Sequence, residues 1–173
     1  SSQARSKRQS SPSSARRSCS SCRAISSASF VEAGIFCPRE ASGREEAPGT
    51  ERGYIDLIDG ELTADFHTTI IPGELGIGFG VRFQLQEGMG ARTAYIVTEH
   101  PPFGSPPVTV ERYATTVYDD SANASLFTFD FPYEVAVGTW DGWVTVYEHD
   151  GTIKEGWPQS VDFSFFVPDK YHV

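Results

Sequence analysis

Val81-Arg82-Phe83-Gln84-Leu85-Gln86 alternates apolar and polar side chains residue by residue. Successive side chains of an extended chain point to opposite faces, so this stretch reads as a strand with one face buried and one in water. The same period of two recurs further along. Phe127, Phe129 and Phe131 alternate with Leu126, Thr128 and Asp130, and Val161, Phe163, Phe165 and Val167 alternate with Asp162, Ser164 and Phe166. Trp143, Thr145 and Tyr147 oppose Val144, Val146 and Glu148. These segments are rich in β-branched and aromatic residues, which suit a pleated, half-buried surface.

Turn formers punctuate the strands. Asp59-Gly60 separates a strand over residues 53–58 from one over 61–71, and Asp150-Gly151 separates 142–149 from 152–155. Asp-Gly is favoured in two-residue hairpins because both central positions need positive φ. Ile71-Pro72-Gly73 and the proline run at 101–107 mark further breaks. No window keeps a 3.6-residue period, and one helical turn near residues 118–124 is the only helix expected. Roughly eight or nine strands at about ten-residue spacing, with no intervening helices, predict an all-β fold. The architecture expected is an antiparallel β-sandwich, immunoglobulin-like in the loose sense, since the Cys…Trp…Cys spacing of antibody domains is absent.

The chain has 173 residues, of which 39% are hydrophobic and 21% charged, a balance that fits a soluble globular protein. No stretch approaches the ~20 apolar residues of a membrane-spanning helix. A net charge of −9 argues against nucleic acid as a partner, because such binding rests on cationic contacts to phosphate. The charges are divided unevenly. Residues 1–29 carry six basic residues, no acid and 13 serines, while residues 30–173 hold eight basic and all 23 acidic residues, a net of −15. The first segment has too little apolar surface to offset the entropy of ordering it, so 1–29 is expected to be a disordered basic tail and 30–173 the sandwich domain. A secretory signal would need an apolar core that this tail lacks; a transit peptide and a stretch read in the wrong frame both fit its composition. The periplasm or the cell exterior is the favoured compartment, with the cytoplasm as the alternative. Cys19 and Cys22 have neither the βαβ context of a redox motif nor the second ligand pair of a zinc site. With Cys37 the count is odd, so at least one thiol has no intramolecular partner.

The run Ile71-Pro72-Gly73-Glu74-Leu75-Gly76-Ile77-Gly78-Phe79-Gly80-Val81-Arg82-Phe83 is followed by Glu99-His100-Pro101-Pro102, by Gly138-Thr139-Trp140-Asp141-Gly142-Trp143 and by Phe163-Ser164-Phe165-Phe166-Val167. Over residues 30–168 this combination resembles a small bacterial family of unknown function, expected to be β-sandwich, with a glycine-phenylalanine-glycine strand and a closing glycine-x-tryptophan hairpin. The resemblance implies fold and bacterial origin, and it transfers no functional residue.

Chemistry-bearing patterns are sparse. The glycines at 76, 78 and 80 precede a strand and not a helix N-terminus, so a phosphate loop is not supported; bulges or close backbone approach explain them better. His67, His100, His149 and His172 share no metal-ligand spacing, and no G-x-S-x-G nucleophile elbow occurs. Glu99 and His100 are neighbours, yet on a strand they point to opposite faces. Asp119, Asp120 and Asn123 read as an Asx-stabilised turn and not an EF-hand. No metal and no cofactor is expected, and no catalytic residue is assigned.

Aromatics on loops are the one pattern pointing to binding. Trp140 lies between Gly138 and Gly142, and Trp157 between Gly156 and Pro158, which would let either ring swing outward as a platform for a saccharide. Asp141 and Gln159 would then hydrogen-bond sugar hydroxyls. The leading expectation is a non-catalytic module, not an enzyme, that binds a protein partner or stabilises an assembly. The alternatives are a carbohydrate- or ligand-binding domain using Trp140, Trp157, Asp141 and Gln159, and a hydrolase at the sandwich end around Glu99 and His100.

Overall fold

The structure is a computed structural model and describes residues 2–6, 28–147 and 160–169. Its strands are β1 (Ser2–Ser6), β2 (Ala28–Phe36), β3 (Gly43–Glu46), β4 (Tyr54–Ile58), β5 (Gly78–Leu85), β6 (Arg92–Phe103), β7 (Val108–Val117), β8 (Asn123–Thr128), β9 (Gly138–Val146) and β10 (Ser160–Val167). They form a six-stranded sheet in the order β2-β5-β8-β1-β4-β3 and a four-stranded sheet in the order β10-β9-β6-β7. All neighbouring pairs are antiparallel except β1 and β4. The fold is thus the expected antiparallel β-sandwich.

Two apolar clusters fill the space between the sheets. One joins Ile55, Val81, Phe83 and Leu85 to Ile96, Val144, Val146 and Val161. The other is aromatic and gathers Phe79, Phe127, Phe129, Trp140 and Phe165. The alternation read in the sequence therefore names the inward faces correctly, with two corrections: Phe163 is only partly buried and packs at the border of both clusters, and Phe131 lies beyond the end of β8 and is exposed.

The opposite face of β5 was expected to be wet, and it is not. Every residue of β5 but Gln84 is buried. The cause is the segment at 61–71, expected as a strand, which instead crosses the outer face as a strap. Its main chain bridges to both sheets, at Ile35–Phe66 and Ile70–Phe166, so it ties β2 in one sheet to β10 in the other. Under it Phe36, Ile58, Leu62, Ala124 and Leu126 form a third apolar cluster. Arg82, 7% exposed, donates from Nη1 to Glu32 Oε1 and from Nη2 to Glu61 Oε1, each at 2.7 Å. Glu32 also accepts from the Ala64 N–H at 2.9 Å and lies 2.7 Å from His67 Nε2. Burial pushes the Glu32 carboxyl up, but these donors and the Arg82 charge outweigh it and hold it at about 2.

Two further expectations are corrected. Residues 118–124 are not helical: β7 ends at Val117, β8 begins at Asn123, and the only helical turn among the described residues is the 3-10 turn Pro132–Glu134. The Asn123 side chain closes the 118–123 loop, accepting from the Tyr118 N–H at 3.1 Å and donating to its carbonyl at 2.8 Å, so the Asx reading holds there. Within the segment expected to be a disordered tail, Ser2–Ser6 forms β1 between β8 and β4. Main-chain ladders require no apolar side chains, and composition therefore missed it. The Asp150-Gly151 turn lies outside the described residues.

Phe129 is fully buried and meets the Phe79 ring at 5.2 Å. Phe129→Ala should cost about 3–5 kcal/mol through lost burial and an incompletely collapsed cavity, and Phe163→Ala visibly less. Urea unfolding of the two variants checks the order; equal losses would show that Phe163 is as deep in the core as Phe129.

Candidate functional site

Trp140 is not an exposed platform. Residues 138–146 form one continuous strand, and alternation along it sends the indole into the core, where it is 0% exposed. Its Nε1–H donates to the Ala136 carbonyl at 2.9 Å. Phe79 meets it edge-on at 5.4 Å, and Phe127 packs at 4.7 Å. The glycines that suggested a turn have another cause. A Cβ on Gly142 would strike the Phe163 ring and the Val97 carbonyl, because Gly142 lies opposite Phe163 on β10 and Thr98 on β6. Glycine lets an aromatic lie flat across a central strand. Asp141 is exposed on the other face of β9 and accepts a hydrogen bond from the Ser164 hydroxyl. Trp157 and Gln159 lie outside the described residues. Of the four residues assigned to sugar binding, Trp140 is removed by its burial.

His100 and Glu99 do point to opposite faces of β6, His100 buried and Glu99 exposed. The carboxylate that faces His100 is Glu111, on β7: its Oε1 lies 3.8 Å from Nε2, and both side chains are fully buried. His100 Nδ1 lies 2.7 Å from the Pro101 carbonyl, which can only accept, so Nδ1 carries the hydrogen. The ring stacks on Phe103 at 4.2 Å and on Trp140 at 4.7 Å. Burial pushes the imidazole below its ordinary range. Burial raises the Glu111 carboxyl to about 7, while the Glu51 N–H, 3.0 Å from Oε2, pulls the other way. The result is a pair walled by aromatic rings, in which burial favours the uncharged form of each group. Glu111 was legible in principle: it shares the inward register of Tyr113, Thr115 and Val117 on β7.

An open feature lies on the outer face of the six-stranded sheet. A cavity of about 390 Å³ is bordered by Phe36, Ile58 and Leu126, which supply an apolar floor, and by Arg39, Arg44 and Arg52. Three of the eight basic residues in the 30–173 segment thus meet in one place, against the two aspartates Asp56 and Asp130. Two of the arginines are held in position. Arg44 Nε donates to Asp56 Oδ1 at 3.2 Å, and its guanidinium lies 4.2 Å over the Tyr54 ring. Arg52 spans 3.4 Å to Asp130 and 3.6 Å to the buried Glu134, donates to the Tyr54 hydroxyl at 3.0 Å, and lies 4.4 Å over the Phe131 ring. Stacked and paired guanidinium groups lose little freedom on binding, and their planar forks match carboxylates. The signal in the sequence was a cluster of basic residues at 39, 44 and 52 inside an acidic domain. Among the described residues no group of three or more His, Cys, Asp or Glu is placed to hold a metal ion. No helix of the described residues is long and apolar enough to cross a membrane.

Because Glu111 keeps its proton in the folded chain up to about 7 and in the unfolded chain only to about 4.5, the folded state binds more protons between those values. Its contribution to stability must therefore fall as pH rises through that window. Relative to Glu111→Gln, the native chain should lose roughly 3 kcal/mol between pH 4.5 and 8. Denaturant titrations at several pH values check this; parallel curves for the two chains would show Glu111 ionised in the folded state.

Comparison with known proteins adds a family. An immunoglobulin-like protein from Pseudomonas aeruginosa is similar in structure, at 21% identity and a TM-score of 0.49, over 84% of this chain and 99% of that one. No match is found among curated proteins. The family described as "Domain of unknown function (DUF3859)" matches residues 26–155, which contain β2 to β9, and to that family this chain belongs.

Proposed function

We propose that the domain is a non-catalytic module that holds a partner polypeptide on the outer face of its six-stranded sheet, through an acidic group received by Arg39, Arg44 and Arg52. The observation that carries this reading is the convergence of those three arginines on a cavity with an apolar floor, in a segment whose net charge is −15. A carboxylate with an adjacent apolar side chain matches that lining: the carboxylate for the guanidinium forks, the apolar group for Phe36, Ile58 and Leu126. Long-range repulsion from the acidic domain opposes such a ligand, so the local geometry must supply the affinity.

The competing readings have less support. A saccharide platform loses its central ring with Trp140. A hydrolase needs a base in reach of substrate, and the aromatic walls around His100 and Glu111 leave neither side chain exposed.

An array of ten-residue peptides with and without acidic residues tests the proposal. Acidic peptides with a neighbouring aliphatic residue should be retained, and Arg39→Glu with Arg44→Glu should weaken their binding at least tenfold. The loss should grow at low salt, where charge interactions are least screened. Retention unaffected by the two substitutions, or a glycan array giving the stronger signal, would overturn it.

A further inference from the structure

We propose that the gap between β8 and β4 is a strand-acceptor slot and that Ser2–Ser6 is its exchangeable occupant. The proposal rests on reading this face as a partner-binding surface and names the partner's conformation: an extended segment added between two existing strand edges.

The topology carries the argument. β8 and β4 each have another neighbour, β5 and β3 respectively, so the sheet around the slot is built without β1. β1 pairs with them at four positions on β8 (Ser2–Thr128 to Arg5–Ser125) and three on β4 (Ala4–Asp56 to Ser6–Ile58). The β4 side is parallel, the weaker of the two ladder types. The occupant is short and, apart from Ala4, polar: Ser2-Gln3-Ala4-Arg5-Ser6. The family match begins at residue 26, so β1 comes from outside the matched domain while both walls of the slot lie within it. Without an occupant, two rows of N–H and C=O groups face each other in mid-sheet, a strong driving force for capturing any extended chain.

Charge and reach identify the resident strand as this chain's own. Residues 1–29 are purely basic and the rest carries −15. Ser6 pairs with Ile58, and Arg5 pairs with Ser125, two positions beyond the Asn123–Phe83 pair; Ala28 pairs with Leu85. Ser6 and Ala28 therefore stand toward the same end of the sheet, about 14 Å apart across three strand spacings and about 10 Å apart along them. The 21 residues between them reach several times that distance. The slot also runs along the arginine cavity: Leu126, Thr128, Asp56 and Ile58 line the cavity and pair with β1. A partner strand entering there must displace Ser2–Ser6.

The test uses the full chain and its Ala4→Pro variant, in which the missing N–H breaks a ladder bond of β1 wherever it points. Hydrogen exchange should accelerate at least tenfold at slot-facing amides of Tyr54–Ile58 and Asn123–Thr128, with Arg92–Phe103 unchanged. Adding 1 mM of the peptide Ser-Ser-Gln-Ala-Arg-Ser should restore protection in the variant and leave the native chain as it was. Unchanged exchange in the variant would overturn the placement of β1. Accelerated exchange that the peptide does not reverse would overturn the acceptor slot, and loss of protection everywhere would show β1 to be integral to the fold. Arg39→Glu alone, at a position outside β4 and β8, alters neither wall of the slot, so failure of acidic-peptide binding and failure of the slot are read separately.

Discussion

The contact on which the sandwich depends is the one between Phe79 and Trp140. Phe79 projects from the six-stranded sheet and Trp140 from the four-stranded one, and their rings meet edge-on at 5.4 Å. Phe165 closes on Phe79 from β10 at 5.3 Å, and Phe127 on Trp140 from β8 at 4.7 Å. Edge-on and tilted geometries suit ring quadrupoles and add to the gain from burying large rings. The glycines that flank this contact follow from it. At Gly80 a Cβ would press into Leu126 and the Ser125 carbonyl, and at Gly142 into the Phe163 ring, so side chains are omitted where strands and rings approach most closely.

Around that joint, polar groups are drawn into the protein and neutralised in two different ways. Arg82 is buried beneath the strap, in ion pairs with Glu32 and with Glu61 at the strap's exposed start. His100 and Glu111 are buried as a pair in which burial disfavours the charged form of each, lowering the imidazole and raising the carboxyl. The difference is one of partners. Glu32 accepts from a guanidinium and a backbone N–H, whereas Glu111 has one backbone N–H and an imidazole 3.8 Å away, so desolvation prevails. Burying ionisable groups this deeply has a cost, and here it rigidifies both flanks of the sandwich. The strap closes one flank. On the other, the 47–53 loop is held to β7 by the Arg112 N–H on Gly49 and by Glu111 on the Glu51 N–H.

What remains open is the outer face between β4 and β8. There the apolar floor, the anchored arginines and the inserted first strand come together on one surface. A family defined only as a domain of unknown function matches residues 26–155; the apolar floor and the arginines lie within that match, and β1 lies before it.

The strand class, the inward registers of β5, β8 and β10 and the Asx turn at 118–123 were all legible in the residues, because each depends on a period or a side-chain bond within a few positions. Local pattern does not encode which element covers a face. The 61–71 strap, the burial of Arg82 and the pairing of His100 with Glu111 arise from contacts between distant segments, and those are set by topology. Trp140 shows the division most clearly. Its flanking glycines are compatible with a turn and with a tightly packed strand, and only the Phe163 ring lying across Gly142 decides between them. By itself the sequence determined an acidic all-β domain with a basic leading segment. The tertiary structure alone decided which aromatic is core, which arginines converge and where the first strand inserts, since each is a relation between residues that the chain brings together only by folding.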